Sequence, residues 1–337
     1  MRATTSRRRG SNCESGTCAS ELLSPTVDCG YSGVATTIPN QRTSARPVPP
    51  LRGWLPLVLL PASVLVLTPA DWPRWAIMWL LVVAIYASWK WVSWWRVRIT
   101  EALPWKHVAY LLLWPGLDAA AFLGERKPPQ PKLVEWVLAT ANLALGVVLL
   151  WGIAPRISPE HELLLGWIGM IGIVLVAHFG SIHLASCFWR SLGMNAKPLM
   201  DWPIATTSVS DFWGRRWNTA FRDLAHQFIF RPLVRRWGTI GAVAASFVFS
   251  GLIHDLVISV PAQGGYGWPT LYFLLQGASV FFERSRWAKA LGLGSGWRGW
   301  LFSALVILGP ASCLFHPPFV HVVIVPFMRA LGAARGA

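Results

Sequence analysis

The sequence predicts an all-α integral membrane protein with about eight membrane-spanning helices plus one broken or re-entrant helix. Three observations predict it. Apolar residues make up 54% of the 337-residue chain and charged residues only 13%, which leaves a soluble domain of this size short of polar surface. Apolar runs of roughly 17 to 25 residues recur, the length at which a helix crosses a hydrocarbon core of about 30 Å. The runs do not alternate apolar with polar residues, as barrel strands would.

Residues 1–50 are rich in Arg, Ser, Thr and Pro and carry no periodic apolar face. They read as a disordered basic N-terminal tail that holds Cys13, Cys18 and Cys29, followed by one membrane-embedded domain over 51–337. The first apolar run begins near Trp54, too late for an ordinary secretory signal, while the scarcity of acids leaves an organellar presequence open. Spans are expected at 54–70, 74–92, 133–152, 163–189, 239–260, 269–283, 300–315 and 317–331, the last two being short. The run 107–124 is interrupted by Pro115, Gly116 and Asp118, the pattern of a broken or re-entrant helix. Many of the 22 Trp residues, among them Trp72, Trp75, Trp94, Trp95, Trp105 and Trp300, sit where runs end, the depth an amphipathic ring prefers. No repeat of 20 to 50 residues is visible.

Thirty basic residues against 15 acids give a net charge of +15. In a soluble protein this would suggest nucleic acid, but here the basic residues cluster in loops and RNA-binding sheet signatures are absent, so no nucleic-acid partner is expected. Loop charge also bears on the broken run. If the tail is cytoplasmic and 107–124 crosses fully, the segment from Arg190 to Arg236, with eight basic residues, falls outside. If 107–124 dips in and returns, the segments from Lys90 to Lys132, Arg190 to Arg236 and Arg284 to Arg298 are all cytoplasmic. The uncharged Pro261 to Trp268 then faces outward, as the positive-inside rule prefers.

Two segments carry candidate chemistry. In the loop after the fourth expected span, Ser210 or Asp211 can cap a helix in which Trp213, Trp217, Phe221, Leu224 and Phe228 recur at helical spacing, with Arg215, Asn218 and Arg222 on another face. Taken alone, this stretch also fits an amphipathic helix lying on anionic lipid. Thirty-six residues after Asn218, His254 stands about 15 residues into its expected span, roughly 22 Å from the cytoplasmic end at 1.5 Å per residue. An ionisable side chain at that depth usually faces a cavity or a partner; the alternative is a histidine bonded to a neighbouring helix. Burial favours the neutral imidazole, which leaves one nitrogen able to accept a proton. His178 and His183, five apart in a span, fit packing or the lining of a cavity. No His-Glu-x-x-His, no paired histidine boxes, no Cys pairs at ligand spacing and no Gly-x-Ser-x-Gly elbow occur, so no metal site is expected.

Asp211-Phe212-Trp213-Gly214-Arg215-Arg216-Trp217-Asn218 in a loop, with Ser250-Gly251-Leu252-Ile253-His254 in the next span, resembles the membrane-bound O-acyltransferase superfamily, in particular its plant-type wax synthase branch. Trp114-Pro115-Gly116-Leu117-Asp118 and Phe315-His316-Pro317-Pro318 extend the likeness over about 105–320. The resemblance implies a multi-helix fold enclosing a tunnel, in which an acyl group passes from acyl-CoA to the hydroxyl of a lipophilic acceptor such as a long-chain alcohol. It implies His254 as general base and Asn218 as its catalytic partner, donating to the oxyanion or positioning the thioester. Asp211, Trp213, Arg215, Arg216, Trp217, Arg222 and Asp255 are then candidate substrate-binding residues, with the arginines facing CoA phosphates. Many relatives have Glu where this chain has Asp255, a shorter carboxylate for orienting the base. No cofactor is implied beyond acyl-CoA as co-substrate; the partners are acyl-CoA, a hydrophobic alcohol and membrane lipids. The membrane would be the inner membrane of a bacterium or the endoplasmic reticulum of a eukaryote. Two rival readings are a sterol, diacylglycerol, protein or polysaccharide hydroxyl as acceptor, and a membrane transporter lined by the same His and Asn. Transporters often show paired broken helices, and one interrupted run is apparent here.

Overall fold

The computed structural model describes residues 53–97 and 102–335. The expected tail over 1–50, with its three cysteines, lies outside the described residues. Within them the chain is helical and contains no strand. The helices are α1 (Leu55–Leu67), α2 (Arg74–Arg96), α3 (Pro104–Val108), α4 (Ala119–Leu123), α5 (Leu133–Arg156), α6 (Pro159–Ser191), α7 (Thr219–Ala262), α8 (Trp268–Glu283), α9 (Gly296–Leu314) and α10 (Pro317–Ala330). A short helix, Arg286–Ala290, joins α8 to α9.

Each of the eight expected spans falls on one of these helices. Five of them, α2, α5, α6, α7 and α9, are long and apolar enough to cross a membrane; α1, α8 and α10 are shorter. The exterior agrees with a lipid setting: Val66 (79% exposed), Leu133 (78%) and Ile240 (71%) point away from the protein, an arrangement water would penalise and acyl chains do not. This is a membrane protein.

The long α7 is two helices in one. Gly238, with φ of 66°, breaks it where the sequence places the start of a span, so 219–237 and the apolar stretch from 239 are separate helical segments. The interrupted run behaves as its Pro and Gly predict. Helix α3 continues as a π-helical turn, Ala109–Leu113, stops, and resumes at Ala119 after Asp118 caps α4 by accepting the Ala121 N–H at 2.9 Å.

Three apolar clusters hold the bundle. Met78, Leu150, Leu165, Val320, Val323 and Met328 join α2, α5, α6 and α10. Tyr110, Trp114, Phe122 and Trp189 pack the broken helix against the end of α6. Trp89, Val92 and Leu224, with Phe228 and Phe249, join α2 to both parts of α7. Helices α7 and α8 cross closely because Gly251 has no side chain: a Cβ there would stand 2.7 Å from the Thr270 Cα.

Candidate active site

His254 lies where α7 passes from an α-helical stretch into one π-helical turn, Asp255–Ser259. Such turns re-aim side chains and recur at functional sites. Its Nδ1 is 2.7 Å from the carbonyl oxygen of Ser250, one turn earlier. A carbonyl only accepts, so Nδ1 carries the hydrogen and Nε2 holds the lone pair. The half-buried ring lies 4.5 Å from that of Phe273 on α8, and Phe221 presents its ring at 6.5 Å and 79°. An oriented imidazole with one basic nitrogen in an aromatic enclosure is the equipment of a general base.

Asp255, read from the sequence as a neighbour orienting that base, makes its bonds elsewhere. Its carboxylate accepts from the Gly267 N–H at 2.8 Å, the Thr270 N–H at 3.1 Å, the Thr270 hydroxyl, and the Ser259 hydroxyl at 2.9 Å. It thus caps the N-terminus of α8 from a neighbouring helix, where a negative charge is favoured. His316 completes the cluster. Its Nδ1 accepts the Phe319 N–H at 3.2 Å, so its Nε2–H donates to Ser259 Oγ, also at 3.2 Å. Burial lowers the basicity of this imidazole, opposed by the nearby Asp255 carboxylate. Thr270, held by Asp255, is one turn before Phe273, whose ring lies beside His254.

The loop segment differs from the single helix its periodicity predicts. Ser208, rather than Ser210 or Asp211, caps a short turn by accepting the Asp211 N–H at 2.9 Å. A π-helical turn, Phe212–Arg216, then ends at Trp217, and a new helix starts after Asn218. Periodicity runs through this point because it is blind to backbone handedness: Asn218 has φ of 41°, a left-handed state that asparagine tolerates better than most residues. Its Oδ1 caps the new helix by accepting the Phe221 N–H at 3.2 Å, which leaves the amide NH₂ as its donor toward a ligand. Asn218 and His254 are joined through Phe221, capped by one and packed beside the other.

The candidate substrate-binding residues divide into two groups. Asp211 braces the loop by accepting from Arg215 Nε at 2.6 Å and from Arg216 Nε, while Arg216 also donates to the carbonyl of Trp202 at 3.1 Å. Burial raises the Asp211 carboxyl, and the Arg216 and Arg215 bonds outweigh it, holding the group below the usual carboxylate range. Trp213 packs on Phe273 at 5.4 Å and donates its indole N–H to Gln276 at 3.2 Å. Trp217 stacks between Phe212 at 5.5 Å and His178 at 6.4 Å. These side chains build the loop. Arg215, while holding Asp211, and Arg222, while donating to the Gly214 carbonyl at 2.8 Å and pairing with Asp223, also line a cavity of about 430 Å³, together with Lys197, the acids Asp118, Asp201 and Asp223, and the break residues Trp114, Gly116 and Leu117. Arg216 is not among its lining residues. The first turn of α7 is the partition: Thr219, Ala220 and Arg222 face the cavity, and Phe221 faces His254.

Residues 196–275 match the model of the membrane bound O-acyl transferase family. This segment holds the loop, both catalytic candidates and the capped start of α8. The chain is 31% identical over 174 residues, 48% of its own length and 50% of the relative's, to the probable long-chain-alcohol O-fatty-acyltransferase 1 of Arabidopsis thaliana. It is 31% identical over 102 residues, 28% of its length and 29% of the relative's, to the long-chain-alcohol O-fatty-acyltransferase of Simmondsia chinensis. Over 89 residues, 24% of the chain and 26% of the relative, it is 27% identical to the acyl-CoA–sterol O-acyltransferase 1 of Arabidopsis thaliana. The chain therefore spans half the length of the first relative and under a third of the others. The likeness to the O-acyltransferase superfamily and its wax synthase branch, read from the loop and span motifs, holds.

Sequence reasoning missed three buried polar residues. Gln276 is fully buried and donates to the Val306 carbonyl at 2.9 Å while accepting from Trp213. Glu283 accepts from the N–H groups of Val209 at 2.8 Å and Ser210 at 2.9 Å. Both are on the inner face of α8, seven residues apart, and that spacing was the available signal. The third, Lys90, lies near the end of the expected span 74–92 and by sequence counts as the first charge of a cytoplasmic segment; it is inside α2 and 2% exposed. Glu135, His183 and Cys187 place ligand atoms within 4.8 Å of one another. The Arg190 guanidinium, bonded to Glu135 and 3.7 Å from Cys187 Sγ, already supplies the cation there.

Proposed function

We propose that the chain transfers an acyl group from acyl-CoA to the hydroxyl of a lipophilic acceptor, most directly a long-chain alcohol, to form a wax ester. The observation that carries this reading is His254, within the family segment, with Nδ1 fixed to the Ser250 carbonyl and Nε2 left basic between Phe221 and Phe273. The acceptor hydroxyl gives its proton to Nε2 as its oxygen attacks the thioester carbonyl. The tetrahedral intermediate collapses by breaking the carbon–sulfur bond, and the CoA thiolate takes the proton back from the imidazolium. The products are an ester and CoA, with the histidine neutral again. Base catalysis of this kind contributes about 10² to 10⁴-fold.

The Asn218 amide, at the partition between cavity and base, is the donor for the developing oxyanion. Lys197, Arg215 and Arg222 suit the phosphates of the CoA head, with Arg216 reserved for the loop. No further cofactor enters this scheme. The chain is multi-pass with its basic loops in the cytoplasm, in a bacterial inner membrane or an endoplasmic reticulum.

The test is expression in a host without neutral lipids, fed radiolabelled acyl-CoA and a long-chain alcohol. A labelled wax ester is expected, absent with His254→Ala at equal protein level. Full activity in that variant would sink the mechanism. A steryl ester instead would move the acceptor toward the named substrate class of the sterol acyltransferase relative.

A further inference from the structure

An ionisable side chain buried in a membrane span needs partners, and Lys90 has three. Its amino group donates to the Trp114 carbonyl at 2.6 Å and to the Gly116 carbonyl, and stands 3.5 Å from the centroid of the Tyr110 ring. Tyr86, one turn earlier on α2, donates to the Pro115 carbonyl. Ser93, one turn later, pairs with the Tyr110 hydroxyl at 2.6 Å. One face of α2 thus binds the broken helix where it stops. Those carbonyls have no helical partner, and apolar surroundings offer no water in its place.

The clamped residues are also a wall of the cavity. Trp114, Gly116 and Leu117 line it together with Lys197 and Arg222. The Trp114 indole folds over Gly116 so closely that a Cβ on Gly116 would meet Trp114 Nε1 at 2.3 Å. The shape of this wall therefore depends on where the break is held, and α2 holds it from behind, without touching the cavity.

We propose that Lys90, assisted by Tyr86, is a positioning residue that sets affinity for the acyl donor by fixing the Trp114–Gly116–Leu117 wall of the cavity. The inference rests on the acyl-CoA reading above. It assigns Lys90 no part in proton transfer: His254 remains the base, and Lys90 governs donor binding.

The experiment compares wild type with Lys90→Met, Lys90→Arg, Tyr86→Phe and Gly116→Ala in membranes, varying acyl-CoA at saturating alcohol. Lys90→Met is expected to raise the KM for acyl-CoA about tenfold or more while kcat and the KM for alcohol stay within about threefold, the pattern of lost donor binding. Lys90→Arg, which keeps N–H donors in another shape, is expected to recover most of the loss. Gly116→Ala, which displaces the indole without touching Lys90, is expected to raise the same KM even if Lys90→Met fails to accumulate. A second readout without turnover is coenzyme A binding to purified His254→Ala protein with and without Lys90→Met, expected to weaken by a similar factor. Wild-type turnover with an unaltered donor KM in Lys90→Met, or in Gly116→Ala where the former does not fold, overturns this inference alone. So does a fall in kcat with the KM unchanged. Wild-type protein that neither uses acyl-CoA nor binds coenzyme A overturns the parent reading, and this one with it.

Discussion

Lys90 and Asp255 do the same job with opposite signs. Lys90 binds carbonyl oxygens where the broken helix stops at Trp114–Gly116, and Asp255 binds N–H groups where α8 starts at Gly267–Thr270. One supplies donors to carbonyls that a helix end leaves unpaired, and the other supplies acceptors to N–H groups at a helix start. His254, between them in character, has one nitrogen bonded to a carbonyl and the other uncommitted. The contrast teaches that depth and charge alone do not identify a catalyst in a membrane helix. What separates the two kinds is whether the hydrogen-bonding capacity is used up.

Four substitutions or conditions sharpen that contrast. His254→Ala is expected to cost about 10² to 10⁴-fold in acyl transfer while leaving the melting temperature of the detergent-solubilised protein near wild type. Asp255→Ala is expected to do the reverse first, lowering stability by about 1–3 kcal/mol for each donor left buried without a partner, with Asp255→Asn recovering part of it. Equal thermal unfolding of wild type and Asp255→Ala would refute the capping role. Gly251→Ala pushes a methyl against the Thr270 backbone and is expected to cost about 1–3 kcal/mol, read by the same unfolding assay.

The smallest effect concerns the loop. The Asp211 carboxyl titrates below its unfolded range, so its contribution is fully present above the ordinary aspartate pKa of about 3.9 and is lost as pH falls through the lower folded value. Because Arg215 is largely exposed, this amounts to roughly 1 kcal/mol or less. Protease cleavage within 201–218 is expected to rise below about pH 4, and less so in Asp211→Asn, whose cleavage is expected to start higher.

Much of this was legible in the residues. Pro115, Gly116 and Asp118 announce the helix break because they act on the backbone locally, and apolar run length announces the spans for the same reason. His254 was legible because an ionisable group in an apolar run has few explanations. Lys90 was not: near the end of the expected span 74–92 it counts only as the first charge of a cytoplasmic segment, and only the folded chain brings Trp114 and Gly116 to it. Asn218 was recognised from its motif but its cap was not, since a left-handed residue leaves the spacing of its neighbours looking helical. Gln276 and Glu283 were hidden for a related reason. Their partners, Trp213 and the Val209–Ser210 backbone, are some 60 to 75 residues away in sequence.

Helix α8 also works as a ruler. Phe273 stands against the imidazole and Glu283 holds the loop backbone, so ten residues of straight helix separate them, about 15 Å at 1.5 Å per residue. Trp213 packs on Phe273 at one end of this rod, and Glu283 fixes the start of the loop that carries Trp213 at the other. A residue inserted into or removed from the helix between them would therefore pull the loop off the aromatic wall beside the imidazole.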